Sequence, residues 1–456
     1  MTAPPAAPRP AIGPLARELL EQEAQALMVR LDNLRPLVLT ETMVIAAALP
    51  YRAHRTIERF LYESRRDLRR QVRAYLKWLG GPGRAASAAE QQGRFVLIRL
   101  RFNDVLAQLD LFTEVVTQRS EHGNGIWLSG LDALAADALD VPGVVDPPPL
   151  ICYLARGPGA AIRRARTRLP GDRPNPVAII RVPRERMIGN GVASSLVHEV
   201  GHQGAALLDL VPSLRREIEG RSRRSGPREA AVWRSWGTTV SECVADLWSI
   251  ATLGIASTIG LLAVVSLPRY FVFRPNGEDP HPTPWIRVLL SAAVGDELYP
   301  HPQWSALAGA WKAYYPVAEL PQERRRALAD LASSLPDIAG LLADHRPERL
   351  GGATLAETLA DEARRPERLL ALHQQWRSDL AVLARQRPAL VLAVLGQARA
   401  ASLISPRQES DLLSAVLSAW AVRSSLDVLE RSQRPVGPQP VTPLRHPVPH
   451  LRRSTT

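Results

Sequence analysis

Two histidines four residues apart, with a glutamate directly after the first, stand in the stretch SSLVHEVGHQ at residues 194–203. The apolar side chains around them recur at helical spacing, which predicts a helix that begins near Asn190. Side chains four apart project from one face of a helix, so His198 and His202 can direct imidazole nitrogens at one metal ion. Glu199 lies beside them, where a carboxylate can take a proton from a water activated by that metal. The alternative is a helix whose two polar histidines meet other partners.

A third protein ligand is needed, because catalytic zinc sites use three protein donors. One extended pattern places a glycine three residues after the second histidine and a ligand three residues further on. It fails here, since Ala205 and Leu208 occupy those positions. Asp209 is about two turns beyond His202 on the same helix, too far along the axis for the same ion. The third ligand is therefore expected from another element.

A second apolar helix is predicted in WGTTVSECVADLWSI, residues 236–250, with Glu242 and Asp246 as its only acids. The two acids are one turn apart on a common face, and buried carboxylates are costly unless they are paired or bound to metal. A metal for Glu242 and a metal-binding imidazole for Asp246 would satisfy both, the latter by orienting the ring. The alternative is that these acids cap a helix or pair with an arginine such as Arg234.

Together the two helices resemble a known family. H-E-x-x-H on one helix, then E-x-x-x-D on a second, is the pattern of the gluzincin class of zinc metallopeptidases, and the resemblance covers roughly residues 145–300. The matching residues are His198, Glu199, His202, Glu242 and Asp246. The resemblance implies a zincin-like core with zinc (Zn2+) held by the two histidines and Glu242, and Glu199 as general base and proton shuttle. It also implies an upstream sheet whose edge strand lines the substrate cleft, and NPVAIIRV at 175–182 stands where that strand should be.

Gluzincins commonly use a further donor to stabilise the oxyanion of the tetrahedral intermediate. The segment GEDPHPTPWIRVLLSA at 277–292 offers His281 and Arg287. Similar His-Pro segments followed by arginine occur downstream of the zinc helices in related metallopeptidases, which makes His281 the first choice for this catalytic role. Tyr270 is the second choice, and Arg287 and Tyr270 are candidates for substrate binding. The alternative is that this segment is a proline-rich surface loop.

The elements that must position these residues are mostly helical, so the fold class is predicted as mainly α (α+β). Strand signals occur only in the short apolar runs at 149–156 and 175–182. The arginine-rich stretch at 215–229, between the two site helices, is predicted as an exposed loop. The predicted regions are a disordered tail (1–14), an N-terminal helical region (15–135), a zincin-like core (136–300), a C-terminal helical domain (301–431) and a second disordered tail (432–456).

The composition restricts the partners. The chain carries a net charge of +12, yet all but two of its 57 basic residues are arginines scattered among acids, which is typical of solvated helix faces. We therefore expect no nucleic-acid partner. Cys152 and Cys243 lie in apolar surroundings, which predicts two buried thiols in a reducing compartment. No apolar segment of a signal peptide is present near the first residue, so a cytoplasmic location is expected.

One uncharged stretch of membrane-spanning length occurs at residues 248–267. Gly254 and Gly260 interrupt it, and it follows directly on a polar segment, so we expect a buried core helix or two short helices rather than a membrane span. The predicted function is a zinc-dependent peptidase acting on a peptide or protein substrate. Two alternatives stay open: a zincin-fold scaffold that is catalytically weak or inactive, and a membrane-embedded metalloprotease.

Overall fold

A computed structural model describes residues 12–33, 44–120, 122–141, 143, 146–155, 160–183, 190–275 and 279–433. The predicted tails lie outside the described residues up to residue 11 and from residue 434 onward. The first described helix begins at Ile12 and the last ends at Gln433.

The described part of the chain is mainly helical with one small sheet, as the sequence predicted. The helices before the sheet are α1 (Ile12–Asn33), α2 (Tyr51–Gly80), α3 (Ala88–Thr117) and α4 (His122–Leu139). Those that follow the sheet are α5 (Asn190–Leu207), α6 (Leu210–Arg224), α7 (Pro227–Leu253), α8 (Ile255–Val265), α9 (Arg269–Val272), α10 (Pro284–Leu298), α11 (Gln303–Tyr314), α12 (Gln322–Ser333), α13 (Leu335–Asp344), α14 (Leu355–Leu359), α15 (Pro366–Trp376), α16 (Leu380–Leu383), α17 (Pro388–Ala400) and α18 (Pro406–Gln433).

The sheet has three strands in the order β1-β3-β2, with β1 parallel and β2 antiparallel to β3. The strands are β1 (Leu150–Ala155), β2 (Ala161–Arg163) and β3 (Ala178–Pro183). The two predicted strands are confirmed as β1 and β3. The expectation that 175–182 forms the edge strand is wrong, because β3 is central and the short β2 covers its outer side. Three residues are too few for an alternating pattern, which is why β2 escaped the sequence analysis.

Alternate residues of the sheet enter different cores, as the period of a strand requires. Ile151 and Ile179 pack with α2 and α3, in a cluster that includes Phe60 and Phe112. Cys152 and its partner across the sheet, Ile180, point to the opposite core, which contains α4 and α5. The sheet therefore separates α2 and α3 from the helices that carry the candidate site, and α4 lies on the side of the site.

The stretch 215–229 is not the loop that its charge suggested. Helix α6 continues to Arg224, and α7 begins only three residues later. Leu210, Leu214 and Ile218 recur at helical spacing and are buried, so they give α6 an apolar face against α7. The arginines of this segment lie on the outer face of α6, except Arg228, which lies on the exposed first turn of α7.

The uncharged stretch at 248–267 is divided at Gly254, whose φ of 58° ends α7 and lets α8 begin in a new direction. Helix α8 packs on α5, where the Ser194 hydroxyl donates a hydrogen bond to the Ser257 carbonyl at 2.9 Å. The expectation of a buried core segment is confirmed, although the stretch consists of the end of the 27-residue α7 and the whole of the short α8 rather than one core helix or two short ones. Among the described residues, no helix is long and apolar enough to cross a membrane.

The largest hydrophobic core takes side chains from Leu128 through Trp420. Within it α17 packs on α7 and α8, and α18 packs along α4. Helices from the middle and the C-terminal regions therefore share one core, while the region boundaries stay predictions. Cys152 and Cys243 are buried free thiols, as predicted.

Candidate metal centre

Helices α5 and α7 approach closely because two glycines replace side chains on the contact face of α5. A Cβ atom at Gly201 would lie 3.0 Å from the Ala245 Cα and carbonyl oxygen, and one at Gly204 would overlap the indole ring of Trp248. These glycines interleave with the histidines in the sequence HEVGHQG. The histidines thus lie on the side of α5 that carries the two glycines. Because these glycines have no side chains, α7 can pack close to the histidines.

Three side chains from these helices converge. The Nε2 atom of His198 lies 3.2 Å from Glu242 Oε2, and the Nε2 atom of His202 lies 3.4 Å from Glu242 Oε1. One donor atom from each residue lies within 4.8 Å of the others. Tetrahedral donors ~2.0–2.1 Å from a common ion are about 3.4 Å apart, so the cluster fits a metal ion. The structure brings together the three residues that the sequence proposed as ligands.

The other ring nitrogens have partners that fix the imidazoles. His198 Nδ1 lies 2.8 Å from Asp246 Oδ1, and His202 Nδ1 lies 3.4 Å from the Ser241 hydroxyl. Both Nε2 atoms thus face the shared carboxylate of Glu242. Outer partners of this kind set the tautomer and direction of metal-binding histidines. Ser241 was missed by the sequence analysis, although its place directly before Glu242 puts it on the adjoining face of the same helix.

Asp246 is held in turn by Arg287 from α10. The Nε and Nη2 atoms of Arg287 lie 2.7 Å from Asp246 Oδ2 and 2.8 Å from Oδ1, a bidentate pair. Arg287 Nη2 also lies 3.7 Å from Glu242 Oε2, and the side chain is only 11% exposed. The arginine that pairs with Asp246 is therefore Arg287, not Arg234. Its geometry is that of a positioning residue; a role in substrate binding stays a prediction.

His281 reaches the cluster from the segment before α10. Its Nε2 atom lies 3.3 Å from Glu242 Oε2, while its Nδ1 atom lies 2.6 Å from Asp279 Oδ1. Asp279 is also paired with Arg274 at 2.5 Å. The His281 side chain is 43% exposed, so it lies on the open side of the cluster. The sequence analysis did not identify Asp279. Its position two residues before His281 could have indicated a carboxylate partner for that histidine.

Glu199 is buried beside the ligands, with 9% of its surface exposed. Burial raises the pKa of its carboxyl group, an effect that the positive charge of His198 partly offsets. A raised pKa suits a group that must accept a proton and release it again.

The electrostatics of the three candidate ligands are coupled. Burial alone would lower the pKa of His198, but the Asp246 carboxylate raises it to about 9. Burial and the charge of His198 lower the pKa of His202 to about 4. Burial opposes ionisation of Glu242, but the hydrogen bond from His198 and the positive charges of His198, His202 and Arg287 together outweigh it and lower the pKa of Glu242 to about 2. Burial opposes ionisation of Asp246, but its pairing with Arg287 and His198 holds the pKa of its carboxyl group below the usual range. Glu242 is thus the carboxylate that faces the place of a cation, and Asp246 is the charged partner of His198.

Two other residues lie away from the cluster: Tyr270, a candidate from the sequence, and Asp209, which the sequence analysis had excluded as a ligand. Tyr270 in α9 is 82% exposed and packs its ring on Phe271. No hydrogen bond or ion pair within the described ranges joins it to the cluster. Asp209 is exposed and takes a left-handed conformation, with φ at 56°, where the chain passes from α5 to α6. It is not among the clustered donors.

Comparison of the chain with known protein families, with curated proteins and with solved structures finds no match. The geometry of the cluster therefore carries the functional argument.

Proposed function

We propose that the protein is a zinc-dependent metallopeptidase with a zincin-like core, which hydrolyses peptide bonds in the manner of the gluzincins. The observation that carries the proposal is the convergence of His198, His202 and Glu242 with a buried glutamate, Glu199, next in sequence to the first ligand. Two histidines and one carboxylate are a known ligand set of catalytic zinc, and this set leaves a coordination position for substrate or water.

The residues of the chain have distinct roles in this proposal. A bound zinc ion supplies Lewis-acid chemistry, lowering the pKa of water and polarising a carbonyl oxygen. The carboxylate of Glu199 accepts the proton of the attacking water and passes it to the leaving amine. His281 Nε2 donates a hydrogen bond to the oxyanion, with Asp279 at Nδ1 keeping the ring in the required tautomer. Asp246 and Ser241 hold the two imidazoles.

The test is Glu199→Gln, which removes the proton acceptor while leaving the candidate ligands in place. Metal content is measured on the purified wild type and variant, and cleavage is measured on a broad peptide library. We expect about one zinc per chain in both proteins and a rate at least ~10²–10⁴-fold lower in the variant. Glu323→Gln, an exposed glutamate on α12, is the matched control.

Two results would contradict the proposal. A Glu199→Gln protein that cleaves as fast as wild type would exclude this mechanism. One equivalent of zinc without hydrolysis of any library member would instead favour the alternative, a zincin-fold scaffold that acts through protein contacts.

A further inference from the structure

A cavity of about 780 Å³ lies between α6 and α7 on the surface of the protein. Arg215 and Arg223 line it from α6, and Arg234 lines it from α7. Glu219 is the one acid among its lining residues. We call this cavity the basic groove.

The guanidinium groups of these three arginines are accessible to a ligand. Each side chain is exposed, and within the described ranges none has an ion pair or a hydrogen bond from its guanidinium group. Elsewhere on the same two helices arginines do find partners: Arg221 pairs with Glu217, and Arg228 pairs with Asp330. The basic groove is thus a place where positive charges gather without an internal partner.

The basic groove and the candidate metal centre share helix α7. Arg234 and Thr238, which line the groove, precede Glu242 at steps of four residues, so all three lie on one ridge of α7. At 1.5 Å per residue, Arg234 is ~12 Å along the helix axis from Glu242. An extended peptide advances ~3.3 Å per residue, so this distance is about three to four residues of substrate.

We propose that the basic groove binds an acidic segment of the peptide substrate, three to four residues from the bond that is cleaved. The inference rests on the proposed function, because it takes the metal centre as the place of cleavage. Peptide carboxylates complement the three arginines that line the groove.

An acidic peptide fits this surface better than a nucleic acid does. Nucleic-acid affinity depends on many phosphate contacts along a continuous basic track. The basic groove instead has three arginines and one acid, Glu219, in a space bounded by two helices.

Binding is tested on the Glu199→Gln protein, so that it does not depend on hydrolysis. The probe is a fluorescein-labelled alanine–glycine peptide with three consecutive glutamates, compared by anisotropy with the same peptide carrying glutamines. Adding Arg215→Gln and Arg234→Gln together should weaken binding of the glutamate peptide about 3- to 10-fold at low salt, with the difference fading at high salt. Arg73→Gln, an exposed arginine on α2, removes the same kind of charge elsewhere and should leave binding unchanged.

Cleavage sites of the wild type in a peptide library give the second measurement. Asp or Glu should be enriched three to four residues from the cut, and the enrichment should disappear in the double arginine variant. Cleavage and binding that are both indifferent to the two arginines overturn the groove proposal alone. A third result is that peptide binding depends on the two arginines but the wild type cleaves no library member. That result overturns the peptidase proposal and supports the groove as a binding site for acidic peptides. Displacement of the peptide by a single-stranded oligonucleotide at lower concentration than by unlabelled peptide overturns the groove's assignment to peptides.

Discussion

Arg287 donates hydrogen bonds to both carboxylate oxygens of Asp246, and Asp246 Oδ1 lies 2.8 Å from the Nδ1 atom of His198. Three helices are joined in this way, because Arg287 belongs to α10, Asp246 to α7 and His198 to α5. The orientation of the first candidate ligand therefore depends on an arginine that is 89 residues away in the chain.

Asp246→Ala should weaken zinc affinity about 10–100-fold without abolishing binding, as the loss of an outer partner of a metal-binding histidine does. The remaining ligands stay in place, but the ring of His198 loses the acceptor for its Nδ1 proton. Competition with a chromogenic chelator measures the affinity. Unchanged affinity, or complete loss of zinc, would contradict this role.

Arg287→Gln should also weaken zinc binding, and its effect should largely vanish in an Asp246→Ala background, because Arg287 acts through Asp246. Neighbours that act as one unit are not additive, so a double-mutant cycle measures the coupling. The alternative role, substrate binding, gives a different result. In that case Arg287→Gln would raise KM and leave zinc affinity as it is.

Glu242→Ala should lose most of the bound zinc, whereas Asp209→Ala should keep it. Glu242 is within 3.4 Å of both Nε2 atoms, while Asp209 is an exposed residue beyond the end of α5. Metal analysis of the two purified variants measures the difference. Equal loss in both would overturn the ligand assignment.

Gly204→Ala should destabilise the protein by about 1–3 kcal/mol, since the added methyl group overlaps the Trp248 ring. Forcing α5 from α7 should also weaken zinc binding, because the histidines and Glu242 lie on opposite sides of that contact. Denaturant unfolding and chelator competition measure the two effects. Gly93→Ala is the matched control, since Gly93 lies within α3 and no described atom outside its own stretch of helix lies within 4 Å of the added methyl group. A Gly204→Ala protein as stable as wild type would show that the helices can separate without cost.

The sequence predicted the structure well where the helical period places side chains on one face of a helix, or where a short apolar run indicates a strand. The spacing of His198 and His202, and of Glu242 and Asp246, predicted two pairs of neighbours on two helices, and the structure places these pairs together. The strands at 150–155 and 178–183 were similarly visible as runs of apolar residues.

Other features depend on contacts between distant residues, which no local pattern reveals. Nothing in the segment around Arg287 indicates that its partner is Asp246, 41 residues earlier. The charge of residues 215–229 suggested a loop, yet the three apolar positions of α6 outweigh it by packing on α7. The three residues of β2 become a strand only because β3 offers them a free edge.

The continuity of the largest core, from Leu128 to Trp420, bears on when the metal centre can form during synthesis. The ribosome releases α5 and α7 before α17, which packs on α7 and α8. Until α17 has emerged, the helix that carries Glu242 lacks part of its packing, and a metal site rarely exists before its scaffold has folded. If the cluster binds a metal ion as proposed, we expect loading to require translation through α17, and a chain that ends near residue 300 should bind the ion more weakly than the full chain.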